Sequence, residues 1–320
     1  MTARISFPVL IAVGGAGAQE WLTGFQLLAP EREFRVWPDA IGNASDIACA
    51  CVWKTPPGLL AQFPSLKAIF NLGAGVDGLL RDPDLPNVPI VRAVHPDLSM
   101  RMTEYVVLHV LMHHRQQRIY DAQQANRIWK GHDQPVASEV RVGIMGLGTI
   151  GRTAADILQR IGFQVAGWSR TLREEPGVET YYGTDGLGQF LRRTEILVCL
   201  LPHTPSTHGI LNLELFRKLN REGPLGGAYL VNAGRGGLQI DADIIAALDE
   251  GTLAGVTLDV FPHEPLPADS PLWVQPGVTI TPHNAGDLAP RALIAGILAQ
   301  IDALERGLRL RHEIDRARGY

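Results

Sequence analysis

Apolar positions along the chain fall into short runs that alternate with amphipathic stretches. The runs at residues 5–13, 34–37, 47–53, 67–71 and 90–94 read as strands. Turn-forming residues separate them: Pro56-Pro57-Gly58, Gly73-Ala74-Gly75, Pro83 and Pro86. This β-α-β alternation predicts a parallel, doubly wound sheet. A stretch without Gly or Pro then runs over 100–129 and predicts one long helix, closed by Gly131 and Pro135.

A second alternation begins at Val140. Strands are predicted at 140–145, 164–168, 196–200, 229–232, 255–258 and 278–280, and helices at 149–161, 213–219, 242–250 and 288–307. The chain thus reads as α/β, with two doubly wound parallel-sheet domains. The first domain is expected at 1–99 plus 287–320, because the last helix follows the last strand of the second unit and returns. The dinucleotide-binding domain is expected at 100–286. Two domains joined by two crossings create a cleft, the usual place for a substrate site.

Composition narrows the class. The 320 residues are too many for one ordinary core. Apolar residues make up 46% and charged residues 19%, as in a globular protein of the aqueous phase. A net charge of −4 gives no reason to expect nucleic acid or an anionic membrane as partner. The basic cluster between Arg306 and Arg318 is interrupted by Glu313 and Asp315 and reads as a solvated tail. Cys49, Cys51 and Cys199 lie in apolar runs with neither zinc nor disulfide spacing, which fits buried thiols in a reducing compartment. The apolar run near Pro8 is too short to span a membrane and lacks the flanks of a signal peptide. A cytoplasmic location is expected.

The most specific local signal is Gly146-Leu147-Gly148-Thr149-Ile150-Gly151, a G-x-G-x-x-G pattern between a strand and a helix. Gly146 suits a tight turn, Gly148 a close backbone approach to pyrophosphate, and Gly151 close helix–strand packing. Thr149 and Ile150 open the helix whose N-terminus faces the anion. A similar stretch, Gly14-Gly15-Ala16-Gly17, has Glu20 where the third glycine belongs, and reads as a plain turn. About 20 residues beyond the fingerprint, NAD sites usually carry an acid for the ribose 2′-hydroxyl. Here Ser169-Arg170-Thr171 stands instead. Arg170 suits a 2′-phosphate, with the hydroxyls of Ser169 and Thr171 assisting. NADPH is therefore expected, with NADH as the weaker alternative. Arg173 adds a more solvated contact.

Three further segments follow strands of the second unit: Asn232-Ala233-Gly234-Arg235, Asp259-Val260-Phe261-Pro262-His263-Glu264 and Thr281-Pro282-His283-Asn284. Taken singly, each has a bland reading: a loop arginine, a solvated carboxylate, a strand-end histidine. Together they supply a cation, a carboxylate and an imidazole. A 2-oxo acid needs that set. Its carboxylate suits a guanidinium fork. Its carbonyl needs a proton donor as hydride arrives. A carboxylate beside the imidazole favours the protonated ring.

With these segments, the chain resembles the D-isomer-specific 2-hydroxyacid dehydrogenases over nearly its whole length. It is most similar to their bacterial glyoxylate/hydroxypyruvate reductase A group. The matching text is Leu72-Gly-Ala-Gly-Val-Asp77, Leu201-Pro202-His-Thr-Pro205, the Arg235 loop, Asp259-Val-Phe261, Glu264-Pro-Leu-Pro267, Thr281-Pro-His283 and Asp315-Arg-Ala-Arg-Gly-Tyr320. The resemblance implies a flavodoxin-like substrate domain and a Rossmann cofactor domain. It implies that Arg235 binds and polarises substrate, His283 donates the proton and Glu264 supports His283. It also implies that Ala74 and Gly75 offer backbone N–H groups to the substrate carboxylate, with Trp53 on the substrate side. Leu201, Pro202 and Asp259 would line the cofactor, Asp259 near the nicotinamide amide. A homodimer through the cofactor domain is implied as well. The chain departs from the group's pattern at Gly234, where Ala is frequent, and at Asn284-Ala285-Gly286.

His109 and His113 have a zinc-compatible spacing of four, but no third ligand accompanies them. No metal is expected. A dinucleotide-sensing scaffold is the alternative from another class. The retention of Arg235, Glu264 and His283 favours the enzyme.

Overall fold

The computed structural model describes residues 7–15 and 17–319. These fall into two compact units: one runs to Pro96 and resumes at Leu288, and the other is Asp97–Asp287.

In chain order, the first unit contains β1 (Val9–Val13), α1 (Ala18–Leu28), β2 (Phe34–Val36), β3 (Cys49–Trp53), β4 (Ala68–Asn71), α2 (Asp77–Leu80) and β5 (Ile90–Arg92). Residues 5 and 6 of the expected first strand lie outside the described residues. All strand pairs are parallel, in the order β2-β1-β3-β4-β5. This is the flavodoxin-like order, with the chain reversing direction across the sheet between β1 and β3. β1 is buried throughout, as a strand covered on both faces must be. Val9, Ile11 and Val13 pack with Trp21 and Phe25 on one face, while Leu10 and Ala12 pack with Leu60 and Phe63 on the other.

The second unit begins with α3 (Pro96–His114), which starts at the boundary, and α4 (Gln117–Ala125). It continues through β6 (Arg141–Met145), α5 (Thr149–Ile161), β7 (Gln164–Ser169), β8 (Glu179–Tyr182), α6 (Gly183–Arg193), β9 (Ile196–Cys199) and α7 (Leu213–Phe216). β10 (Tyr229–Asn232), α8 (Asp241–Asp249), β11 (Gly255–Leu258) and β12 (Val278–Ile280) complete it. The seven parallel strands run β12-β11-β10-β9-β6-β7-β8. That is the Rossmann order extended by one strand, with its switch point between β6 and β9.

Three sequence expectations change. The single helix over 100–129 is two helices, because Gln116 adopts a left-handed backbone (φ 55°) between α3 and α4. β8 and α6 were not anticipated: Gly183, Gly186 and Gly188 diluted the helical signal, yet Phe190 and Leu191 are buried. The basic tail is not merely solvated. Arg316 Nη2 donates to the carbonyls of Pro86 and Val88, and Ile314 is buried.

The last helix, α9 (Pro290–Glu305), packs on α1 in the first unit. A side chain at Gly24 would overlap Ile294, so the two helices approach closely there. Arg32 pairs with Glu305 (2.5 Å) and Asp302 (3.0 Å), fixing that end of α9. All three cysteines are buried and unbridged. Among the described residues, no helix is long and apolar enough to cross a membrane.

Candidate active site

The fingerprint glycines occupy the β6–α5 turn at the switch point. Gly146 has φ 110°, and a Cβ there would lie 3.0 Å from the Leu200 carbonyl. A Cβ on Gly151 would overlap the Gly146 carbonyl oxygen. A Cβ on Gly148, by contrast, would meet nothing within 4 Å. Two glycines therefore shape the turn, and the middle one leaves its backbone open to an incoming group. No side chain caps the N-terminus of α5, so its first N–H groups are available to an anion. Buried Gly151, Ala154, Ala155 and Leu158 hold α5 on the sheet, with the turn-by-turn spacing of an amphipathic helix. Thr149 and Ile150 form its first turn. These features fit a dinucleotide pyrophosphate.

β7 ends at buried Ser169, whose Oγ donates to the carbonyl of Thr171 at 2.7 Å. Its one hydroxyl hydrogen is thus used inside the turn. That turn presents exposed Arg170 and Thr171. Arg173 is exposed as well, and its Nη1 donates to the Leu147 carbonyl at 3.2 Å, tying this turn to the glycine loop. Leu201 is buried beside Gly146 and Gly234, and the Pro202 carbonyl accepts from Thr207 Oγ1 at 2.8 Å.

Arg235 follows β10. Buried Asn232 builds its loop: Oδ1 accepts from Gly234 N at 3.1 Å, and Nδ2 donates to Gln239 Oε1 at 2.7 Å. The Arg235 guanidinium donates to the Gly234 carbonyl at 2.7 Å through Nη1. A methyl on Gly234, the group's frequent alanine, would lie 2.8 Å from Leu201 O. One on Gly236 would overlap the Phe261 carbonyl, and one on Gly237 would lie 2.6 Å from the His203 ring.

His283 Nδ1 lies 2.7 Å from Glu264 Oε2. Glu264 Oε1 accepts from Phe261 N at 3.1 Å, which orients the carboxylate. His283 has φ 56°, a conformation that costs a non-glycine residue about 1–3 kcal/mol unless its surroundings enforce it. Asp259 enforces it. Its Oδ1 accepts from Thr281 Oγ1 (2.7 Å) and Asn284 N (3.0 Å), and its Oδ2 accepts from Ala285 N (3.1 Å). Burial raises the Asp259 carboxyl above its ordinary range, against these donors, which lower it. Tyr105 of α3 in turn hydrogen bonds Thr281 Oγ1 at 2.7 Å. Sequence reasoning passed over Tyr105, Thr281 and Asn232. The available signal was a hydroxyl or amide in an otherwise apolar run.

In the first unit, the Trp53 ring lies where a Cβ on Gly73 would be. Ala74 and Gly75 are partly exposed in the loop that follows β4. Gly14 of the second glycine-rich stretch packs against the Lys54 carbonyl, a packing role; Ala16 lies outside the described residues. His109 and His113 are buried on α3, and His113 Nε2 meets Thr257 Oγ1 at 3.1 Å. Among the described residues, no cluster of three or more His, Cys, Asp or Glu side chains could hold a metal ion.

Comparison with known proteins places this arrangement. Residues 107–285 match the family model described as D-isomer specific 2-hydroxyacid dehydrogenase, NAD binding domain. Glyoxylate/hydroxypyruvate reductase A of Yersinia enterocolitica is 39% identical, over 95% of this chain and 96% of its own length. The NADPH-dependent glyoxylate/hydroxypyruvate reductase of Sinorhizobium meliloti, solved with NADP and sulfate, has a TM-score of 0.93 and 44% identity, covering 98% of this chain and 100% of its own. A D-isomer specific 2-hydroxyacid dehydrogenase of Xanthobacter autotrophicus, solved with NADPH and MES, has a TM-score of 0.91 and 38% identity, with 98% and 100% covered. The matched stretch contains the glycine turn and the histidine–glutamate pair, and the chain belongs to the D-isomer-specific 2-hydroxyacid dehydrogenase family.

Proposed function

We propose that the chain reduces a small 2-oxo acid, glyoxylate or hydroxypyruvate, to glycolate or D-glycerate with NADPH. The observation that carries this reading is the His283–Glu264 pair at 2.7 Å. It stands on loops after the same parallel sheet as the glycine turn, at the strand ends where such folds bind ligands. Gly146, Gly148, Thr149, Ile150 and Gly151 would hold the pyrophosphate, Arg170 and Thr171 the 2′-phosphate, and Leu201 and Pro202 the adjoining wall. Asp259 serves the cofactor side by fixing the 281–285 turn. When bound, NADPH supplies a hydride to the substrate carbonyl carbon.

Arg235 holds the 2-oxo acid and draws electron density towards the carbonyl oxygen. Ala74 and Gly75 offer N–H groups to the carboxylate, with Trp53 behind their loop. His283 directs Nδ1 to Glu264, so Nε2 is the nitrogen that gives a proton to the carbonyl oxygen. Glu264 holds the ring in place. The protein is read as a cytoplasmic homodimer. Exposed Leu108, Ile119, Ile128, Trp129 and Val136, all in the 97–287 unit, support self-association through that unit.

The test is the loss of reduced-nicotinamide absorbance with NADPH and a panel of 2-oxo acids. Turnover of glyoxylate and hydroxypyruvate is expected. Tight NADPH binding with no turnover of any 2-oxo acid would indicate a dinucleotide-sensing scaffold.

A further inference from the structure

We infer that Asn71 is the positioning residue of the substrate-carboxylate loop. It ends β4 and is buried, at 5% exposure, in an otherwise apolar strand. Its Nδ2 donates to the carbonyl oxygens of both Gly73 (2.6 Å) and Gly75 (3.0 Å). An amide nitrogen carries two hydrogens, so each carbonyl takes one.

The consequence follows from peptide geometry. In a trans peptide the carbonyl and the next N–H point in opposite directions. Turning the Gly73 carbonyl towards Asn71 therefore turns Ala74 N–H away from it. The same holds for Gly75 and Val76 N–H. The Gly73 carbonyl also accepts from Ala93 N at 3.2 Å, and the Trp53 ring covers the Gly73 Cα. The 73–74 peptide is thus held from three sides. One buried side chain gathers the Gly73 and Gly75 carbonyls inwards and sets the Ala74 and Val76 N–H groups outwards, on either side of the 74–75 peptide that carries the Gly75 N–H. That makes a small concave donor site, the form in which backbone binds anions. The ligand class is a carboxylate on a small 2-oxo acid. This inference rests on the proposed reductase activity, and it assigns the loop's shape to a residue outside the loop.

The experiment measures Asn71→Leu, which keeps the branched shape and removes the donors. Steady-state kinetics with glyoxylate and NADPH are combined with inhibition by oxamate, a non-reducible analogue. KM for glyoxylate and Ki for oxamate are expected to rise together, by about tenfold or more. KM for NADPH and the melting temperature should stay near wild type, and kcat should change less than KM. Asn71→Asp, whose carboxylate repels both carbonyls and the substrate, should lose more. A leucine variant with glyoxylate KM and oxamate Ki within twofold of wild type would overturn the positioning role. So would parallel loss of NADPH and oxamate affinity, which marks a merely structural residue. Should the leucine variant not fold, Asn71→Ser reads the same ratios. Wild-type protein that turns over no 2-oxo acid sinks the functional reading instead, and the two failures are distinct.

Discussion

Glu264 holds His283 with one carboxylate oxygen while the other is anchored on the Phe261 backbone N–H. The imidazole is therefore set by a partner that is itself fixed, and its far nitrogen is aimed by the same contact. His283→Ala should lower kcat by about 10²–10⁴-fold, the usual contribution of a general acid or base. NADPH affinity, measured by fluorescence titration, should be unchanged. Glu264→Gln should cost less, since the amide oxygen can still hold the ring. Near-normal turnover in the alanine variant would remove His283 from the mechanism.

Arg235→Lys is expected to be a poor enzyme. The loop built by Asn232 delivers a planar fork, and an ammonium group cannot reproduce it. Loss of a charge-assisted contact costs roughly 1.5–3 kcal/mol, which should appear in kcat/KM for glyoxylate. Retention of wild-type kcat/KM by the lysine variant would rule out bidentate recognition.

Arg170 and Arg173 should separate by cofactor. Arg170 is exposed on the turn after β7, where the proposed function sets the 2′-phosphate that distinguishes NADPH from NADH. Arg170→Ala should raise KM for NADPH by about ten- to a hundredfold and leave NADH nearly untouched. Arg173 braces the Leu147 carbonyl in the glycine turn, which the proposed function assigns to the pyrophosphate that both cofactors share. Arg173→Ala should therefore weaken both cofactors alike. A reversed pattern in the two titrations would disprove the assignment.

Acid should destabilise the fold through α3. Burial lowers His109 to about 4 and His113 to about 3. Below the ordinary histidine value of about 6.5, the unfolded chain takes up protons that the folded chain refuses. Stability is thus complete above that value. It falls by up to about 1.4 kcal/mol per pH unit per histidine as pH drops towards the folded values. His109 also has a buried Nδ1 without a hydrogen-bond partner and contacts the Tyr105 ring. His109→Phe should flatten the dependence of the urea midpoint on pH between about 6.5 and 4. An unchanged slope would show that His109 is not responsible.

Much of the framework was readable because parallel sheets buried on both faces write themselves as apolar runs. β6, β9, β10 and β11 are four such strands, and the glycine turn, Arg235, Glu264 and His283 follow strand ends that the runs mark. What escaped was whatever depends on partners far away in sequence. Tyr105 meets Thr281 across 176 residues, and nothing local to either announces it. Asn71 looks like an ordinary strand end until the two carbonyls it gathers are seen. The break at Gln116 escaped because a glutamine in a left-handed conformation has no sequence mark, unlike a glycine or proline.

The crowding around Arg235 bears on how this scaffold can be diversified. A methyl on Gly236 would overlap the Phe261 backbone carbonyl, which no side-chain movement can relieve, whereas Gly237 faces only the movable His203 ring. Saturation at Gly236 should return inactive clones whatever substrate is offered, because the failure is steric and precedes any choice between substrates. A search for a new 2-oxo acid preference is better begun at other positions than at Gly236, whose replacement fails before any substrate is met.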